Sequence, residues 1–224
     1  MLLDAKNYEK RKKVILLGEI KNGKLINTNK SKKVMNTFKT ITLEPKTIEN
    51  SDSISSKILK TTQKEMGMIP NMYAGMANNT ALLDGYFYAY NSFRANSGFS
   101  SREQEVIFLS VAYENDCDYC MAAHSFVADN WNKVPVEVTN AIRSNSEVPN
   151  EKLKALSIFS RQMTAKRGLP SEDDINNFLS AGYTEENILG VISGIGIKTM
   201  SNYFNHVYKT PVDKAFQGRI WKKS

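Results

Sequence analysis

Glu105, Cys117, Cys120 and His124 are the residues of this chain whose types and spacing could do chemistry, and that chemistry is the redox chemistry of a dithiol. Cys117 and Cys120 are the only two cysteines in the 224-residue chain, and His124, one of two histidines, follows four positions after the second. On a helix, residues three or four apart share a face, so both thiols and the imidazole can converge while Tyr119 points elsewhere. Such a pair can close an intramolecular disulfide where the Cβ vectors allow it, and an imidazole within reach can take or supply the thiol proton. Asp116, following Glu114-Asn115, reads as the N-cap of this helix and puts Cys117 in its first turn. Backbone N–H groups there favour a thiolate, whereas the flanking carboxylates of Asp116 and Asp118 oppose it.

The same residue types allow two blander arrangements. Cys117, Cys120, His124 and a carboxylate could bind zinc, or the cysteines could pack as small apolar side chains. A thioredoxin-like site should follow a strand in a βαβ unit, and here the pair follows the apolar helical run from Val106 to Tyr113.

The order Glu105, eleven intervening residues, Cys-x-x-Cys, three residues and His resembles the carboxymuconolactone decarboxylase-like superfamily, and within it the alkylhydroperoxidase AhpD-like, peroxidase-related branch. Further matching stretches are Met66-Gly67-Met68-Ile69-Pro70-Asn71-Met72-Tyr73, Asn79 to Leu83, Asn202-Tyr203-Phe204-Asn205-His206 and Thr210-Pro211-Val212-Asp213, so the resemblance runs from about Phe38 to Phe216. It implies an all-α AhpD-like helical domain acting as a thiol-dependent peroxidase on hydroperoxides. In that reading Cys120 attacks the peroxide oxygen and becomes a sulfenic acid, Cys117 resolves it to a disulfide, and Glu105 and His124 form a proton relay through a bridging water. The resemblance further implies a homo-oligomer, a trimer or hexamer, and an external dithiol reductant such as a lipoylated or thioredoxin-like protein. It calls for no cofactor and no metal. The best-known family member has a histidine between its cysteines, where this chain has Tyr119. Lactone decarboxylases of the superfamily lack the cysteine pair, so decarboxylation is not expected.

Several helices must position these residues. Ser53 to Glu65 precedes a stop at Gly67, Pro70 opens a short helix ending near Ala77, and Asn79 caps Thr80 to Ala95. Ser100-Ser101-Arg102-Glu103-Gln104 offers two overlapping capping boxes for the helix of Glu105, with Val106, Leu109, Ser110 and Tyr113 on one face. The cysteine helix runs to about Trp131, followed by Val136 to Ser144, Glu151 to Lys166, Ser171 to Leu179 and Thr184 to Tyr208. Gly190, Ser193, Gly194 and Gly196 mark the last of these as an inner helix in close contact with neighbours. Tyr86, Phe87, Tyr88, Tyr90 and Phe93 at helical spacing read as core or subunit-interface packing rather than a substrate pocket.

The net charge of +7 is unevenly placed. Residues 1–34 carry ten basic and three acidic side chains, which is the whole of the excess. The balanced remainder gives no reason to expect nucleic acid or a membrane surface as partner. Residues 1–37 read as a basic extension and 38–224 as the helical domain. Within the extension, Val14 to Ile20 and Leu25 to Thr28 flank Lys21-Asn22-Gly23-Lys24, a hairpin signal. The alternative is a stretch without structure ahead of a start at Met35. No apolar run reaches eighteen residues, so a soluble, cytoplasmic protein is expected, in which paired thiols suit a transient rather than a structural bridge.

Overall fold

The computed structural model describes residues 20–21, 24–25 and 41–223. The chain divides into two units, Met1–Lys39 and Thr40–Ser224. In the first, strands β1 (Ile20–Lys21) and β2 (Lys24–Leu25) pair antiparallel, with Ile20 opposite Leu25 and Lys21 opposite Lys24. These are the innermost rungs of the expected hairpin; its outer residues, 14–19 and 26–28, lie outside the described residues.

The described part of the second unit is all-α. Its helices are α1 (Ser53–Met66), α2 (Asn71–Met76), α3 (Thr80–Asn96), α4 (Ser101–Glu114), α5 (Asp118–Asn130), α6 (Val136–Ser144), α7 (Glu151–Ala165), α8 (Glu172–Ser180) and α9 (Glu185–Tyr208), followed by a 3-10 turn at Lys214–Arg219. Their boundaries follow the capping chemistry. The Asp52 carboxylate accepts from the N–H groups of Ile54 and Ser55 to open α1, and Gly67 closes it at a φ of 72°, a left-handed conformation that glycine adopts without steric cost. Asn79 caps α3. Of the two overlapping boxes before α4, the chain uses Ser100 with Glu103.

The sequence pattern predicts one buried face on α4, but all ten residues from Gln104 to Tyr113 are buried. The reason is its position: α4 packs on α7, α5, α9 and α6 and is enclosed by them. A helix so placed must be apolar all round or have its polar groups paired. On α9, small residues permit the close approach. A Cβ on Gly190 would lie 2.7 Å from the Ser97 carbonyl oxygen, and one on Gly194 would lie 2.8 Å from Ile107 Cγ2. The inner face of α9 is thereby brought against α3 and α4. Among the described residues no helix is long and apolar enough to cross a membrane.

Candidate active site

The site is built at the junction of α4 and α5. After α4 the chain reverses at Asp116, whose φ of 55° is left-handed. A residue in that conformation cannot serve as the extended N-cap, so the cap falls one residue later than the sequence suggests. Cys117 caps α5 with φ −100° and ψ 96°, and Cys120 is the third residue of the helix. It is therefore Cys120, not Cys117, that lies in the first turn, where unpaired backbone N–H groups favour negative charge.

The turn also folds α5 back along α4, bringing Glu105 to His124. Glu105 is fully buried, and its Oε2 lies 2.8 Å from His124 Nδ1. Its Oε1 accepts from Arg94 at 2.5 Å and from the Asn132 amide at 2.8 Å. Arg94, on α3, is held in turn by the Tyr90 hydroxyl at 2.7 Å and by Gln104 at 3.1 Å, and its guanidinium lies over Phe108. Burial works against the Glu105 charge, but His124 and Arg94 outweigh it and hold the carboxyl below its ordinary pKa. Burial and the field of Lys198 lower His124, with Glu105 opposing. The imidazole is thus neutral near pH 7. With Nδ1–H donated to the carboxylate, Nε2 keeps a lone pair for a proton in transit.

Cys117 and Cys120 are both free thiols and both buried. The Asn205 amide donates to Cys120 Sγ at 3.3 Å and lies 3.9 Å from Cys117 Sγ. Thr210 Oγ1 donates to Asn205 Oδ1 at 2.5 Å, which turns the NH2 group toward the sulfurs. Ser201 Oγ is 3.7 Å from Cys120 Sγ. Burial alone pushes Cys120 up, but the Cys117 thiol, Lys198, His124 and Ser201 together draw it well below the ordinary range. Cys117 moves the other way, raised by its bond to Cys120 and by burial. The two thiols thus titrate as a pair, with Cys120 the sulfur favoured as thiolate.

Tyr119 points away from the sulfurs, as its helix position requires. Its hydroxyl donates to Asp213 Oδ2 at 2.5 Å and accepts from the Met72 N–H at 3.4 Å, while Asp213 Oδ1 accepts from the Asn71 N–H at 3.0 Å. At this position between the two cysteines the chain has a strap joining α5 to α2 and to the segment after α9.

Two separate spaces reach the site. A cavity of about 280 Å³ is walled by Tyr73, Tyr86, Phe87, Tyr90 and Trp131 and reaches His124. Tyr86, Phe87 and Tyr90, expected only to pack, therefore pack and also line this cavity. A second cleft, of about 540 Å³, is lined by Cys117, Asn205, Lys209, Trp221 and Lys222. The structure thus pairs Glu105 with His124 and sets Cys117 and Cys120 around one amide, and it adds Arg94, Asn132, Lys198, Ser201, Asn205 and Thr210. Asn205 and Thr210 lay within matched stretches, and Lys198 stood out as the lone charged residue between Glu186 and His206. Among the described residues no three His, Cys, Asp or Glu side chains gather in a way that could hold a metal ion.

No protein-family model matches the chain, and no curated protein matches it by sequence. Among solved structures it is similar to a peroxidase-related protein with the alkylhydroperoxidase AhpD core from Ralstonia eutropha JMP134, at TM-score 0.71 and 18% identity over 80% of this chain and 97% of that one. It is also similar to a peroxidase-related protein from Silicibacter sp. TM1040, at TM-score 0.67 and 22% identity over 80% of this chain and 99% of that one. A third similar structure is a cysteine-to-alanine variant of the debrominase Bmp8 in complex with 2,3,4-tribromopyrrole, at TM-score 0.65 and 16% identity over 83% of this chain and 96% of that one. At these identities the likeness is one of fold, and the fold is that of the AhpD core.

Proposed function

We propose that this chain, which shares the fold of AhpD-core and peroxidase-related proteins, is a thiol-dependent peroxidase that reduces hydroperoxides. The observation that carries the reading is geometric: two free, buried thiols within reach of one Asn205 amide, on the helix that also carries an imidazole whose Nδ1 is tied to a buried carboxylate.

In this mechanism Cys120 attacks the terminal peroxide oxygen as the thiolate. His124 Nε2 takes the proton from that oxygen and returns it to the departing alkoxide, which leaves as the alcohol. Glu105 fixes the tautomer that makes this possible. Cys120 is left as a sulfenate, and attack by Cys117 expels its oxygen as water after uptake of one further proton from solvent. An external dithiol, of a lipoylated or thioredoxin-like partner, reduces the disulfide and releases that proton again. Cys117 lines the larger cleft, which favours it as the sulfur the reductant meets. The aromatic walls of the smaller cavity favour a hydroperoxide with an apolar organic group. We place the cycle in the cytoplasm, where such a bridge is transient, and in a homo-oligomer of three or six subunits; Leu189, Ile192, Tyr203 and Val207 on α9 are exposed and offer a face for it.

The test is to treat reduced protein with one equivalent of cumene hydroperoxide. Loss of two thiols and a Cys117–Cys120 disulfide within one subunit is expected, and unreacted thiols would overturn the proposal. If peroxide reacts slowly but small disulfides react fast, the protein is a general dithiol-disulfide oxidoreductase. A second reading, thiol-dependent removal of bromine from an aromatic ring, is favoured by the aromatic cavity beside His124 and the likeness to the debrominase fold. Bromide release from a bromopyrrole in the presence of excess thiol distinguishes it.

A further inference from the structure

Lys198 is a residue of the site that the cycle above leaves without a task. It is fully buried on the inner face of α9, one turn before Ser201 and two before Asn205. Among the described residues its Nζ has no hydrogen-bond partner; what it faces is the Phe108 ring, 5.4 Å away, which itself packs on His124 at 4.9 Å. A buried ammonium is stable only with a counter-charge. The acids on the packed elements are already engaged: Glu105 by Arg94, His124 and Asn132, Glu114 by Arg161, and Asp213 by hydrogen bonds from Tyr119 and Asn71. Tyr86 and Tyr119 are held in their neutral forms, above all by burial. Among the described residues, the sulfur of Cys120, which Ser201 and Asn205 reach from the same face of α9, is the group at the site whose thiolate can compensate it.

We infer that Lys198 is a redox-coupled counter-ion, an ammonium compensated by the Cys120 thiolate in the reduced protein and left uncompensated when the disulfide forms. Reduction of the disulfide takes two electrons and one proton: Cys117 gains the proton as a thiol, and Cys120 gains the negative charge that pairs with Lys198. Lys198 therefore stabilises the dithiol over the disulfide and makes the bridge easy to reduce. Stabilising the reduced form is what turns a dithiol into an oxidising couple. Lys198 acts through Cys120 and is a positioning residue for its charge. This inference rests on the proposed reading only in that Cys117 and Cys120 form a disulfide.

The test needs no peroxide. Wild type and Lys198→Met are equilibrated with graded ratios of reduced to oxidised glutathione at pH 7, and the fraction of Cys117–Cys120 disulfide is read by thiol alkylation and mass spectrometry. In Lys198→Met the dithiol-disulfide equilibrium is expected to shift at least tenfold toward the disulfide, which is about 30 mV. An unchanged or opposite equilibrium overturns the inference. If oxidised glutathione yields no intramolecular disulfide even in wild type, the dithiol reading itself has failed. A measurement free of this variant is the melting temperature of wild type in its two states: the reduced protein is expected to melt higher than the oxidised, against the usual stabilisation by a cross-link, and the reverse order overturns the inference. A third arm compares Cys120→Ser with Cys120→Ser/Lys198→Met. The double variant is expected to melt higher than the single, because removing the ammonium relieves the charge that the serine left unpaired; a lower melting temperature counts against the pairing.

Discussion

Glu105 and Lys198 are both fully buried charges on two helices that pack together, and the protein treats them in opposite ways. Glu105 has Arg94 and Asn132 on one oxygen and His124 on the other, each within 2.8 Å. Lys198 has the face of an aromatic ring and no hydrogen bond among the described residues. A saturated charge is a fixed point: its field is spent on its own ligands, and it serves by holding the imidazole still. An unsaturated charge keeps its field for a group that appears and disappears, and here that group is a sulfur. The contrast separates residues that set geometry from those that set reactivity.

The largest effect that sharpens this contrast is at the sulfurs. Cys120→Ser is expected to bring hydroperoxide consumption down to the rate in solvent. Cys117→Ser is expected to keep the first oxidation, with a sulfenic acid at Cys120 trapped by dimedone and seen by mass spectrometry. The reverse pattern would exchange the roles of the two thiols.

Next come His124→Gln and Glu105→Gln, each expected to slow peroxide consumption about a hundredfold, within the range for general acid-base groups. The double variant should be no slower than either single, since the two act as one unit. Full activity in either single variant removes the relay from the mechanism. Glu105→Gln also leaves the largely buried Arg94 without its counter-charge, and denaturant melts should show a loss of about 3 kcal/mol. If stability is unchanged, the saturated network is not a fixed point and the contrast with Lys198 collapses.

A smaller effect is acid sensitivity. The Glu105 carboxyl lies below its ordinary value when folded, so its contribution is complete above the ordinary glutamate range and lost as pH falls through the folded value. His124 is also lowered, so below the ordinary histidine range the unfolded chain binds a proton that the folded one resists. Both make the protein less stable toward acid. The melting temperature should fall between pH 7 and pH 5, and His124→Gln should flatten that fall; an equally steep fall in the variant would assign it to other groups.

The smallest effect expected is at Tyr119. Tyr119→Phe removes the strap and leaves Asp213 Oδ2 without its donor, which should cost roughly 1–3 kcal/mol. Peroxide consumption should change by no more than a few fold. A loss as large as that of His124→Gln would move Tyr119 from the frame into the chemistry.

Most helix boundaries were legible in the sequence because they are written in local chemistry: Asp52, Asn79, Ser100 and Thr184 cap where short polar side chains precede apolar runs. The four candidate residues, Glu105, Cys117, Cys120 and His124, were legible because rare residue types at helical spacing can be read without a fold. The cap of α5 was misplaced by one residue because a left-handed Asp116 is selected by the packing of α5 back on α4, which no local pattern states. Lys198, Asn205 and Thr210 act from about eighty to ninety residues downstream of the cysteines, so their meaning depends on which face of α9 turns inward. Arg94 hid among aromatic residues that looked like packing alone, because a cation stacked on rings and tied to a buried acid has the same sequence pattern as a solvated one.

The two spaces at the site have a kinetic consequence. His124 faces the aromatic cavity and Cys117 the polar cleft, so oxidant and reductant need not occupy the same volume. An enzyme with a single mouth must empty it before the second half-reaction begins, and an excess of either reagent then blocks the other. With separate entrances, initial-rate lines at several reductant concentrations should run parallel in double-reciprocal form, and saturating dithiol should leave the apparent KM for hydroperoxide free of competitive inflation.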